Sequence, residues 1–227
     1  MAQKIVQFLE SHLHQSIVND VLEIAHYHAR PRKKTEGGFF SVPRGVFCYV
    51  DFLGHIAFGK GTTESAVSFI RQYFPAEYRD YAALIYSMWR HGTVHEYKPK
   101  TYYAKFQNQS PTKISVAWVS NNDNKRKERS LHMQFLPMKG KRGKIHLCMN
   151  ICQLVDDLLT ALANFALALN SDKKLRRKCQ RRLNSVLDPK PHTSIKGGHW
   201  QQVVLQEISL AWKNRSKTKI DKIGNTI

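Results

Sequence analysis

Apolar residues recur at helical spacing from the start of the chain. Ile5, Phe8, Leu9, Leu13, Ile17, Val21, Leu22 and Ile24 predict a first helix over residues 2–29. A basic loop, Arg30-Pro31-Arg32-Lys33-Lys34-Thr35-Glu36-Gly37-Gly38, follows and closes on two glycines. Residues 44–58 are apolar almost all round, the pattern of a buried helix, with Asp51 and His55 as exceptions four apart on one face. Gly59-Lys60-Gly61 breaks the run, and Thr62 or Thr63 caps a short helix to Tyr73, which Pro75 ends. A fourth helix starts near Ala76 and carries Tyr78, Tyr81, Ala82, Ile85 and Trp89 on one stripe. It is expected to loosen near Gly92 and to end before Pro99.

The period then changes from helical to two. Ile114, Val116 and Trp118 alternate with other residues, as do Leu131, Met133 and Phe135, and Ile145, Leu147 and Met149. Short alternating runs separated by polar and basic turns predict an antiparallel β-meander at about residues 101–149. Asn150 is placed to cap a long fifth helix with the stripe Ile151, Leu154, Val155, Leu158, Leu162, Phe165, Ala166 and Leu169. The expected architecture is mainly α: a bundle of about five helices with the meander inserted after the fourth, spanning 1–187. Residues 188–227 form a C-terminal extension after Pro189 and Pro191, with a short helix from Trp200 to Trp212 and a fraying polar tail.

Composition adds a partner class. The chain has 227 residues with 42% hydrophobic content, which excludes a disordered chain. Its formal net charge is +19, and such an excess concentrates polyanions, nucleic acid first and anionic membrane second. The basic run Lys173, Lys174, Arg176, Arg177, Lys178, Arg181 and Arg182 either tracks a phosphate backbone or is a solvated helix face. The turns Lys125 to Arg129 and Lys139 to Lys144 would extend the same surface, and Tyr102, Tyr103 and Phe106 either stack on bases or pack in the core.

Cys48, Cys148, Cys152 and Cys179 show no dense disulfide spacing, and no basic segment followed by an apolar run and a cleavage site opens the chain. The expected compartment is therefore a reducing cytoplasm. The longest apolar stretch, Ile151 to Leu169, is interrupted by Gln153, Asp156, Asp157 and Asn164 and reads as short of a membrane span. His146, Cys148 and Cys152 match no tetrahedral spacing, so neither a metal nor another cofactor is expected.

The densest chemistry lies at Arg90-His91-Gly92-Thr93-Val94-His95-Glu96-Tyr97. A guanidinium holds phosphate through two parallel hydrogen bonds, and an imidazole transfers protons near neutral pH. Together they supply what cleavage of RNA without a metal needs: a proton acceptor or donor at the 2′-hydroxyl or the leaving oxygen, and a cation at the crowded phosphorus. On a continuous helix, residues five apart point about 140° apart, so Arg90 and His95 converge only if the helix opens near Gly92 or a second subunit completes the site. The alternative is structural, with both side chains bonding the last carbonyls of the helix.

Arg90-x-x-x-x-His95-x-Tyr97 resembles the motif of the HEPN superfamily of all-helical nucleases and toxins, in the form found in toxins paired with nucleotidyltransferase antitoxins. His91 stands where that family commonly has Asn. The Arg-x-x-x-x-His form arises about 0.7 times by chance in this composition, and the added Tyr lowers that to about 0.03. The resemblance covers roughly residues 1–100 and the helix from Asn150; the meander and the C-terminal extension depart from a minimal bundle. It implies a metal-independent ribonuclease composed across a homodimer, a toxin or anti-phage effector acting on RNA, single-stranded RNA being the expected substrate. In that reading Arg90 holds the phosphate, His95 is the general acid/base, His91 orients them, and Tyr97 matches a tyrosine that some members have nucleotidylated by the antitoxin. Asp51 and His55 either face the cleft and support these residues or are hydrogen-bonded residues of the core. The alternatives are a non-catalytic basic nucleic-acid-binding protein on the same scaffold and an interaction module whose charge is incidental.

Overall fold

The computed structural model describes residues 4–28, 40–59, 61–92, 99–104, 112–119, 131–137 and 144–187. The first helix, α1, runs over residues 4–28 and widens into two π-helical stretches, Phe8–Leu13 and Val18–Leu22. Its spacing explains the widening. Ile5, Leu9, Leu13, Ile17, Val21 and Ala25 are all buried and recur at strict intervals of four. On an ideal α-helix each such step drifts by about 40°, or about 200° over the whole series. The i→i+5 bonds of a π-turn take more residues per turn and keep the stripe facing inward.

Helix α2 (Ser41–Phe58) buries Val46, Phe47, Val50, Leu53, Ile56 and Ala57. Gly59 ends it in the left-handed region (φ 83°), with its N–H donating to the His55 carbonyl at 2.7 Å. Helix α3 (Thr63–Tyr73) starts after Thr62, whose backbone carbonyl rather than side chain accepts from Ser65 and Ala66, and stops at the extended Phe74 before Pro75. The two helices cross in close contact at Gly54. A Cβ there would lie 2.9 Å from the Cα and N of Ala66 and the carbonyl carbon of Ser65, backbone atoms that cannot swing away. Gly54→Ala is therefore expected to destabilise the fold by about 1–3 kcal/mol, although Ala is the better helix former by up to about 1 kcal/mol. Denaturant unfolding checks this; an unchanged or raised midpoint would contradict the close crossing.

Helix α4 opens as a 3₁₀ turn (Ala76–Tyr81), continues as α-helix (Ala82–Tyr86) and ends as a π-turn (Ser87–His91). It buries Tyr78, Ala82, Ile85, Tyr86, Met88 and Trp89.

The inserted sheet has four strands: β1 (Tyr102–Ala104), β2 (Thr112–Val119), β3 (Phe135–Pro137) and β4 (Lys144–Asn150). It corrects the expected meander. Spatial order is β1-β2-β4-β3, with β2 and β4 parallel and the two outer pairs antiparallel. Period-two alternation fixes which side chains face inward but not which strands pair. The long connection 120–143 allows the crossover that a parallel pair requires. Leu147 and Met149 are fully buried, and Tyr102, Ile114, Val116 and Phe135 pack half-buried against the helical core.

Helix α5 (Ile151–Ser171) is capped as expected: the Asn150 side chain accepts from the Gln153 N–H at 3.0 Å. By length and composition this helix qualifies to cross a membrane, so its polar interruptions do not exclude a span. Its burial identifies it instead as the central core helix. Leu154, Val155, Leu158, Ala161, Phe165 and Leu169 are fully buried, with Phe165 set edge-on to Phe69. The fifth helix ends at Ser171, two residues past the last position of its stripe. Asp172 is extended, and its side chain accepts from the N–H groups of Lys174 (2.8 Å) and Leu175 (2.9 Å), starting a separate helix α6 (Lys173–Leu187). Cys148, Cys152 and Cys179 are buried and Cys48 is exposed; burial pushes the Cys179 thiol up to about 11. The chain divides into units 1–187 and 188–227, and the second lies outside the described residues, as does the expected helix Trp200 to Trp212.

Candidate catalytic centre at Arg90 and the basic helix

Arg90 sits on the π-turn that ends α4, one residue before His91 and two before Gly92. Such wide turns recur at functional sites because they redirect the side chains that follow. The Arg90 Nε donates to Asp51 Oδ2 on α2 at 2.5 Å, and Tyr86, one turn earlier on α4, donates its hydroxyl to Asp51 Oδ1 at 2.6 Å. One carboxylate thus ties two positions of α4 to α2. The bond from Arg90 to Asp51 raises the arginine's already high pKa, with desolvation opposing it. Burial, then the bond to Asp51, raises the Tyr86 hydroxyl well above its ordinary value, so it remains a donor.

The guanidinium is 26% exposed and uses its Nε on Asp51. Among the described residues, no side chain or carbonyl engages its two terminal nitrogens. The helix-capping alternative does not hold for Arg90. The Met88 carbonyl accepts from the Lys100 N–H at 2.8 Å, and the Trp89 carbonyl accepts from the Gly92 N–H. His95 and Tyr97 lie outside the described residues, as does the His91 side chain. His55 lies one turn beyond Asp51 on α2, half-buried, with its Nδ1 3.8 Å from where a Cβ on Gly61 would stand.

The basic run resolves into two sets. Arg176 donates to the Leu169 carbonyl at 3.3 Å and the Asn170 carbonyl at 3.4 Å, at the end of α5. Arg182 donates to the Ile56 and Ala57 carbonyls at 3.0 and 2.6 Å, at the end of α2. Both oppose the negative end of a helix dipole and serve the fold. Lys173, Lys174, Arg177, Lys178 and Arg181 are exposed. Of the expected extensions of this surface, Lys144 opens β4, and the turns at 125–129 and 139–143 lie outside the described residues. Tyr102 belongs to the core: its ring is half-buried, its hydroxyl pairs with Ser87 Oγ, and Lys100 Nζ lies 5.9 Å over the ring. Neither Phe106 nor the Tyr103 side chain is among the described positions.

A second polar cluster, buried, was not singled out from sequence. Asp157 on α5 accepts from Tyr78 (2.7 Å) and His132 Nε2 (3.0 Å) on Oδ2, and from Gln153 (2.9 Å) on Oδ1. The Asn150 N–H donates to His132 Nδ1 at 3.0 Å, which places the ring proton on Nε2, facing both Asp157 and the Tyr78 hydroxyl (2.8 Å). His132 and Asp157 are 4% and 5% exposed, too enclosed to meet a substrate. Their task is to fasten the insert to the helices. Next to His132, Met133 takes a left-handed backbone (φ 63°), and its N–H donates to the Cys148 carbonyl at 2.8 Å. Such a conformation costs a side-chain-bearing residue about 1 kcal/mol or more and persists where its surroundings hold it. The available signal was Asp157 itself, a charge within the stripe of an apolar helix.

Among the described residues, no three His, Cys, Asp or Glu side chains gather as a metal site. His146 Nδ1 pairs with Ser115 Oγ at 2.9 Å, and Cys152 Sγ donates to the Ala25 carbonyl. No family model, curated protein or solved structure matches this chain.

Proposed function

We propose that the chain is a HEPN-like ribonuclease that cleaves RNA without a metal, centred on Arg90 and His95. One observation supports this most: Arg90 is held through Nε by Asp51, on a widened helix end, with its two terminal nitrogens directed to no described protein group. That edge is the one that binds a phosphate with two parallel hydrogen bonds. In this reading Arg90 holds the scissile phosphate. The 2′-hydroxyl oxygen attacks phosphorus and gives up its proton, the bond from phosphorus to the 5′-oxygen breaks, and that oxygen takes up a proton; His95 makes one of the two proton transfers and solvent water the other. His91 orients the pair, and Asp51 aims Arg90. The products are a 2′,3′-cyclic phosphate and a 5′-hydroxyl.

By resemblance, the active unit is a homodimer in the cytoplasm with the role of a toxin or anti-phage effector, and Tyr97 is the point of control by a nucleotidyltransferase antitoxin. A second reading, a non-catalytic RNA-binding protein, is favoured by the exposed cations of α6, whose action needs no chemistry at Arg90. The two separate on incubation with single-stranded RNA in excess chelator. Wild type is expected to cleave, and Arg90→Ala and His95→Ala to lose cleavage. Binding by all three proteins with no cleavage by any would favour the second reading.

A further inference from the structure

The seven cations of the basic run do not act alike, and their division defines a surface. Helix α6 buries Cys179 and Leu183 and packs Leu175 half-buried against the core. Its opposite side carries Lys174, Arg177, Lys178 and Arg181, at positions i, i+3, i+4 and i+7, all exposed. That spacing places the four on one face. Nothing acidic interrupts the helix, whose sequence is KKLRRKCQRRLNSVL. The nearest acid, Asp172, is engaged in capping the first turn. Arg176 and Arg182, one on each flank, are spent on the carbonyl ends of α5 and α2, so the negative ends of two helix dipoles beside α6 are offset. The outcome is a stripe of positive charge on a rigid, packed helix.

We propose that this face of α6 is a docking track for the phosphate backbone of single-stranded RNA, separate from the Arg90 centre. The proposal rests on the reading of RNA as the substrate. From Lys174 to Arg181 the stripe runs about 10 Å, the axial length of about three steps of a stacked strand. Its contacts are to phosphate, so it binds without base preference and strongly according to salt. The track and the centre share a support. Arg182 joins α6 to α2 at Ile56 and Ala57, about 8 Å along the helix axis from Asp51, which holds Arg90. A strand lying on α6 is thereby held at a fixed distance from α2.

The test is fluorescence anisotropy with a labelled single-stranded RNA over a range of salt. Wild type is compared with a combined Lys174→Gln, Arg177→Gln, Lys178→Gln, Arg181→Gln variant and with Arg90→Ala. Thermal unfolding is measured on each; exposed positions are expected to leave it unchanged. At about 0.7 counterions per phosphate on a single strand, removing four contacts is expected to shorten the slope of log K against log salt by about 3. It is expected to weaken binding about 10²- to 10³-fold at 0.1 M salt. Arg90→Ala, which removes the one phosphate contact assigned to the centre, is expected to shorten the slope by about 0.7 and to weaken binding far less than the combined variant. A folded combined variant with unchanged affinity and slope overturns the track, as does wild type that fails to bind RNA at low salt or binds only phosphatidylserine vesicles. If the track variant loses binding but Arg90→Ala cleaves as well as wild type, the ribonuclease centre fails and the track stands.

Discussion

Arg90→Lys is expected to cut RNA cleavage by about 10²- to 10³-fold while keeping the positive charge. The reason lies in how the guanidinium divides its donors. Nε is engaged by Asp51 at 2.5 Å, and the terminal nitrogens form the opposite edge of a rigid plane. A lysine carries one nitrogen on a flexible stem. Bonding Asp51 would draw that ammonium toward the carboxylate and away from a phosphate, and no second parallel hydrogen bond would remain. Loss of one oriented donor to a transition-state oxygen costs about 10²- to 10³-fold in other enzymes. Single-turnover cleavage measures the effect. If lysine keeps half of the wild-type rate, charge alone suffices and the planar fork has no role.

Asp157→Ala is expected to destabilise the protein by about 3–5 kcal/mol, because it takes the shared acceptor from three donors at about 1–3 kcal/mol each. Three donors, from Tyr78, His132 and Gln153, would lose their shared acceptor, the first two in an environment closed to water. His132 would then keep only the Asn150 N–H and the Tyr78 hydroxyl (2.8 Å), without the carboxylate that fastens it to α5, and the left-handed turn at Met133 would lose part of its support. In a unit of this size about 3–5 kcal/mol lowers the melting temperature by roughly 6–20 °C. Hydrogen exchange is expected to rise first in residues 131–137, because the network fastens that segment to α5. A loss below about 1 kcal/mol would contradict the network.

Helix positions were legible because burial writes a period into the sequence. Helices α2 and α3 lie where their apolar runs and breaks put them. The stripe of α5 is buried throughout and that of α4 is buried except at Tyr81, which is exposed and set against Phe135. The Asn150 cap follows from its side chain. The sheet was legible as strands but not as a topology. Alternation in Ile145, Leu147 and Met149 tells the inner face, and nothing in it says that β4 lies between β2 and β3. At the candidate centre, Tyr86 was not singled out, although its four-residue interval to Arg90 puts both on one side of α4. The acidic partner was already in view as Asp51, an exception on an apolar helix. The π-turn of α4 did not stand out in the sequence as the four-residue spacing of α1 does. Neither did the separate duties of Arg176 and Arg182, identical in composition to their neighbours. They face the ends of α5 and α2, which only the tertiary arrangement brings near.

The most direct measurement compares two substrates in excess chelator: a short single-stranded RNA, and the same strand with a 2′-deoxy sugar at the cleaved position. Wild type is expected to cut the first, leaving a 2′,3′-cyclic phosphate, and to spare the second at that bond, while His95→Ala cuts neither. Equal cutting of both strands, or cutting by His95→Ala at the wild-type rate, would contradict a centre in which the 2′-hydroxyl attacks under the control of Arg90 and His95.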